Sequence, residues 1–214
     1  GGIIAPLAAT KFRDVAFIVL LAGVGVPMEE LLMRQARDIA LVMGSSEEMI
    51  ATNAVAQRQI FRAIKTEKDP AAAEAAVRRV IREQTASMTE EQCQALGLSD
   101  AMLDTQIKMV LSPWFRDLVA YDPRPTLKAV KCPVLALNGE KDLQVAAKEN
   151  LPAIRGALAA GGNQKVKTIA LPGLNHLFQT CQTGAIAEYG QIEETFNPAA
   201  MKLISDWLRE VTSR

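Results

Sequence analysis

Two side chains are the residues of this sequence best suited to chemistry: Asp142 in Leu137-Asn-Gly-Glu-Lys-Asp-Leu-Gln-Val145, and His176 in Leu171-Pro-Gly-Leu-Asn-His-Leu-Phe178. His176 is the only histidine in 214 residues. An imidazole can take the proton of an attacking nucleophile and return it to the leaving group, while a carboxylate on its other nitrogen sets the tautomer and stabilises the imidazolium. An aspartate followed in chain order by a histidine is two thirds of such a device, and no serine is placed to complete it. Each residue also has a plainer reading. An aspartate after a strand is commonly a turn or cap residue, and a single histidine is commonly packed or at the surface. Their order and contexts favour the paired reading.

Both motifs follow an apolar run that ends in turn residues. Cys132-Pro-Val-Leu-Ala-Leu-Asn138 precedes the aspartate, with its proline at the start where a strand tolerates one, and Lys165-Val-Lys-Thr-Ile-Ala-Leu171 precedes the histidine. Ala146 to Ala160 reads as a helix closed by Gly161-Gly162. A third run, Asp14 to Ala22, is apolar on both alternating sets of positions, the pattern of a parallel strand covered on both faces, and it ends at Gly23-Val-Gly25. Strands alternating with helices specify a mostly parallel sheet flanked by helices, which gathers functional groups at its carboxyl edge. Asp142 and His176 are both expected at that edge. Asn197-Pro198 caps a final amphipathic helix with Met201, Ile204, Trp207, Leu208 and Val211 on one face.

The middle of the chain is different. From Met28 to Phe115 the β-branched runs vanish, and Ala, Glu, Gln, Arg and Met recur with helical spacing. Leu31, Leu32, Ala36, Ile39, Ala40 and Met43 form one apolar face, and Ser46 caps a second helix over Glu47 to Lys65. Asp69-Pro70 opens a third, and shorter helices are expected near Glu90 to Ala95 and Asp100 to Leu111. The division predicted is an α/β core over 1–27, an all-helical cap over 28–117, and the rest of the core, carrying Asp142 and His176, over 118–214. Gly1-Gly-Ile-Ile-Ala-Pro6 reads as the glycine end of a Gly-x-Ser-x-Gly turn followed by its helix, so the serine nucleophile is expected just before residue 1.

These stretches together resemble the α/β-hydrolase superfamily, and more closely its capped bacterial esterases and dipeptidyl-peptidase-like hydrolases. The resemblance rests on Gly1 to Pro6, Leu21-Ala-Gly-Val-Gly-Val26, Tyr121-Asp-Pro123, Lys131 to Asp142, and Leu171 to His176, nearly the whole chain. It implies the carboxy-terminal part of the fold, with Asp142 as the acid and His176 as the base. It also implies ester hydrolysis through an acyl-enzyme in the complete protein, without a cofactor, on a small ester or peptide-like substrate. The serine and both oxyanion donors are absent from the sequence, so the chain alone is expected to be inactive. Met109, Trp114 and Phe115 are implied as lining of an acyl or side-chain pocket, beside the plainer reading of cap-to-core packing.

Composition narrows the alternatives. Formal charge is zero, with 24 basic and 24 acidic residues, so no field favours nucleic acid or an anionic membrane. The apolar run Val15 to Ala22 is far shorter than the roughly 20 residues that span a bilayer. Cys93, Cys132 and Cys181 form no metal or redox spacing, and Asp104, Asp122 and Glu193-Glu194 lack metal partners, so no metal is expected. Compartment is left open. The Val15 to Ala22 strand is expected to expose an edge, to be met by the missing amino-terminal half or by self-association. A peptidase or amidase of the same fold, a non-catalytic binding or assembly module on this scaffold, and a Cys181–His176 thiol pair are the competing readings.

Overall fold

The computed structural model describes residues 1–86, 88–95 and 100–213. In chain order the elements are α1 (Ile4–Lys11), β1 (Ile18–Leu21), α2 (Met28–Val42), α3 (Glu47–Thr66), α4 (Pro70–Thr85), α5 (Glu90–Ala95), α6 (Asp100–Val110), α7 (Pro113–Ala120), α8 (Pro123–Ala129), β2 (Val134–Gly139), α9 (Ala147–Ala160), β3 (Val166–Leu171), a 3-10 turn (Ile186–Gln191) and α10 (Pro198–Thr212). They form two compact units, one of Gly1–Met43 with Asp122–Arg214 and the other of Gly44–Tyr121.

The first unit holds a small parallel sheet flanked by helices. Strand order is β1-β2-β3, with Ile18 opposite Val134 and Val134 opposite Val166. β2 lies in the centre and is buried at every position, which its unbroken apolar run requires. β1 is shorter than the apolar run that encodes it. The strand opposite begins after Pro133, which lacks an N–H, so pairing starts at Ile18 and Val134, with the Pro133 carbonyl accepting from the Ile18 amide. Phe17 instead sets its ring edge-on to Trp207 of α10, with centroids 5.8 Å apart.

One face of the sheet packs on α8 and α9. Leu20, Leu127, Val130, Val134, Ile154 and Leu158 form that core, each essentially without solvent contact. Burying each such side chain contributes about 1.5–3 kcal/mol. α2 is pinned to α9 by Arg34, whose guanidinium bonds Asp38 one turn on and Glu149 across the gap. The turn after β1 is pinned there too: the Asn150 carboxamide oxygen accepts from the Gly25 amide at 2.8 Å, and a Cβ on Gly25 would stand 2.4 Å from the Asn150 carbonyl oxygen.

The second unit is helical. Ala63, Val77 and Ile107 from α3, α4 and α6 form its core. Arg116 donates to the Ile64 and Glu67 carbonyls and so satisfies groups that the end of α3 leaves unpaired. Among the described residues four helices start alike, at Asp69-Pro70, Ser112-Pro113, Asp122-Pro123 and Asn197-Pro198, where a side-chain oxygen accepts one or two backbone amides and the proline takes the first helical position.

Candidate functional site

β2 ends at Gly139, and the chain turns at once into the loop that carries Asp142. The Asp142 amide donates to the Gly139 carbonyl, and its Oδ1 accepts the amides of Gln144 and Val145, both at 2.8 Å. Asn138, fully buried in β2, donates from its carboxamide to the Val145 carbonyl and closes the far side of the loop. The Asp142 residue is 3% exposed. A carboxylate so enclosed is costly unless donors surround it, and two backbone N–H groups on one oxygen supply that compensation.

The other oxygen meets the histidine. β3 ends at Leu171, the chain reverses through Pro172 and Gly173 (φ +71°), and His176 follows. Its Nδ1 lies 2.9 Å from Asp142 Oδ2. An ionised carboxylate can only accept, so toward Asp142 in that form Nδ1–H is the donor, and Nε2 is the ring nitrogen turned away from the carboxylate. The imidazole is 27% exposed while the carboxylate is 0% exposed, so the ring is reachable from solvent and its partner is not. The two residues stand at the carboxyl ends of neighbouring strands, as the sequence leads one to expect.

Several contacts that the sequence reading did not name hold the two loops together. Glu140 and Lys141 donate their amides to the Leu171 and Leu174 carbonyls, each at 2.9 Å. The Lys141 ammonium donates to the Gln182 and Cys181 carbonyls. Gly139 lies so close under the second loop that a Cβ there would stand 2.3 Å from the Leu174 carbonyl oxygen and 2.5 Å from that of Asn175. Gln144 donates from its carboxamide to the Tyr189 hydroxyl at 3.1 Å, which brings the 3-10 turn onto the Asp142 loop. Burial pushes that phenol's pKa up.

The remaining expected residues are distributed as follows. Gly2 lies against the turn after β1, where a Cβ on it would stand 3.1 Å from Gly23 Cα. The backbone leading into α1 is therefore at the same carboxyl edge as Asp142 and His176. Ala22, in that turn, takes a left-handed conformation (φ +51°) and donates its amide to the Leu137 carbonyl. Met109, Trp114 and Phe115 belong to the helical unit; Met109 and Trp114 are 57% and 67% exposed, and the Trp114 and Phe115 rings are 6.3 Å apart. Ser46 and Ser112 are helix caps. The Cys181 thiol donates to the Gly173 carbonyl, and burial pushes its pKa up, which opposes the thiolate that a nucleophile needs.

A depression of about 680 Å³ beside the Asp142 loop is lined by Asp142, Leu143, Ala146, Leu151, Leu41 and Arg34 among others. Another, of about 600 Å³, opens at Ala16, Pro133, Val166 and Trp207, at the amino ends of the strands and away from the aspartate and histidine. Among the described residues no three His, Cys, Asp or Glu side chains gather as metal ligands, and no helix is long and apolar enough to cross a membrane.

No protein-family model matches the sequence, and a search of curated proteins finds no relative. Solved structures do show likeness. One is a putative non-heme bromoperoxidase, BpoC, from Mycobacterium tuberculosis, 14% identical with a TM-score of 0.39 over 99% of this chain and 65% of that one. A second is MGS-M2, an alpha/beta hydrolase from a deep-sea metagenome library, 14% identical with a TM-score of 0.39 over 100% of this chain and 62% of that one. A third is an esterase, 13% identical with a TM-score of 0.38 over 89% of this chain and 57% of that one. The chain thus spans less than two thirds of the length of each.

Proposed function

We propose that this chain supplies the acid–base half of a serine hydrolase, with an ester as substrate in the complete protein. His176 is the base that takes the nucleophile's proton and returns it to the leaving alcohol, and Asp142 holds the imidazole in the tautomer with Nε2 free of its proton. The observation that carries this reading is the 2.9 Å bond between His176 Nδ1 and a carboxylate whose other oxygen is already held by two backbone amides. An aspartate serving only as a turn residue needs the amides and not the imidazole. A ring that is one quarter exposed and, among the described residues, bonded at Nδ1 alone has its second nitrogen available for proton transfer.

The reading assigns the nucleophile to the turn that enters α1. Support comes from the glycines there: Gly2 packs on the backbone of Gly23 at the carboxyl edge, the close approach that a sharp strand-to-helix turn needs. That assignment also gives the open side of β1 an occupant, the strand that leads into the same turn. Catalysis needs oxyanion donors as well, each worth about 3 kcal/mol, so residues 1–214 on their own are proposed to be inactive.

Fluorophosphonate labelling of the complete protein, with and without His176→Ala, tests the proposal. Labelling of the parent that collapses in the variant supports it. Absence of labelling in the parent, or equal labelling in both, overturns it.

A further inference from the structure

His176 sits between two anchors, and the first of them has no role in the chemistry described so far. Asn175 is completely buried. Its Oδ1 accepts the amides of Leu177 at 2.9 Å and Gln179 at 3.0 Å, and its Nδ2 donates to Gln179 Oε1 at 2.9 Å. Its own amide donates to the Gln179 carbonyl, and its carbonyl accepts the Phe178 amide. The second anchor is Phe178, held left-handed at φ +60°, 2% exposed, and stacked on Phe196 at 5.3 Å. Between the anchors, His176 and Leu177 are the partly exposed residues of the loop.

We propose that Asn175, latched by Gln179, is a positioning residue that holds the His176 imidazole on Asp142. The proposal rests on the acid–base reading of that pair. Among the described residues the ring makes one hydrogen bond, to Asp142, so its placement depends on the backbone that carries it. The Asn175 carboxamide fixes that backbone on both sides. It is part of the residue preceding His176, and it captures the amide of the residue following it. The Asn175 carbonyl in turn rests over Gly139, next to the loop of Asp142, so the latch is referenced to the partner strand as well as to its own turn. A buried asparagine that merely satisfied itself would not need to bridge the two peptides around the one exposed imidazole.

The test reads the bond directly, because this chain has one histidine. In proton NMR of the parent chain, the His176 Nδ1–H is expected as a downfield resonance, assigned by its disappearance in His176→Gln. Asn175→Ala leaves the Leu177 and Gln179 amides and Gln179 Oε1 without their partner, three bonds lost at once. The resonance is then expected to be lost, or to exchange with water on the order of tenfold faster or more, as local opening becomes easier. Retention at parental position and exchange rate in a folded Asn175→Ala overturns the proposal. Should that variant fail to fold, Gln179→Glu, which still accepts from Asn175 Nδ2, is compared with Gln179→Leu, which does not. Retention in the Glu variant with loss in the Leu variant supports the latch, and equal behaviour in the two overturns it. The outcome is separable from the hydrolase reading. A resonance sensitive to the latch in a protein that takes no fluorophosphonate leaves the positioning role standing and removes the reaction, whereas labelling with a resonance insensitive to the latch does the reverse.

Discussion

Replacing Gly139 by alanine should dismantle the site without touching a functional group. The added Cβ would stand 2.3 Å from the Leu174 carbonyl oxygen, 2.5 Å from the Asn175 carbonyl oxygen and 2.7 Å from the Leu174 carbonyl carbon. All three are backbone atoms, so no side chain can rotate away. Relief to ordinary contact, about 3.4 Å or more between such atoms, requires the two strand ends to part by about 1 Å. Two bonds cross the same gap, from the Glu140 amide to the Leu171 carbonyl and from the Lys141 amide to the Leu174 carbonyl. Overpacking of this kind costs about 1–3 kcal/mol, and each of the two weakened bonds adds about 1 kcal/mol, for a loss near 3–5 kcal/mol. At about 2–4 °C per kcal/mol for a chain of this size, the melting temperature should fall by roughly 6–20 °C. The His176–Asp142 bond spans the same gap, and a misplacement of about 1 Å costs about a hundredfold in rate. The assay is thermal unfolding by circular dichroism, together with the rate of fluorophosphonate labelling in the complete protein. A Gly139→Ala variant that melts within about 2 °C of the parent and labels at the parental rate would overturn this expectation, since the strand ends would then have more freedom than their packing allows.

Two further outcomes follow from the same geometry. Asp142→Asn keeps the shape but not the charge, and its amide must face either the imidazole or the two loop amides with a donor. Labelling and turnover should drop by about 10⁴-fold, as for a triad left with the wrong tautomer, and a drop under tenfold in single-turnover kinetics would exclude Asp142 as the orienting group. Burial raises the Cys181 pKa, so the thiol is the favoured form near neutrality and reactivity should rise only as pH climbs above the ordinary thiol value of 9.0. Iodoacetamide kinetics across that range should show this, and Cys181→Ser should leave fluorophosphonate labelling unchanged; fast alkylation at neutral pH with loss of labelling would restore the thiol reading.

Much of the site was legible because its parts are local. Strand runs, the Pro-Gly turn before His176 and the glycine that ends β2 place the aspartate and the histidine at strand ends. Ser46, Asp69 and Asn197 announce their helices by the same cap chemistry that the structure shows. Helices α7 and α8 carry the same cap signal at Ser112-Pro113 and Asp122-Pro123 and stand outside the expected elements. β1 came out shorter than its apolar run, because its extent is set by where Pro133 allows the neighbouring strand to start pairing. Asn175 and Gln179 gave no sign at all: a buried carboxamide looks like a surface one until its partners are known.

Hydrophobic period, proline placement and caps act over a few residues, so the sequence alone suffices for the order of the three strands and the long helices and for the placing of Asp142 and His176 behind two of those strands. The distance between those two side chains belongs to the folded molecule. Asp142 and His176 are 34 positions apart, and their bond exists because β2 and β3 pair in one register and because the missing side chain of Gly139 lets the second loop lie directly on the first. Register and close approach are properties of two segments at once, so neither is written in the pattern of either one alone.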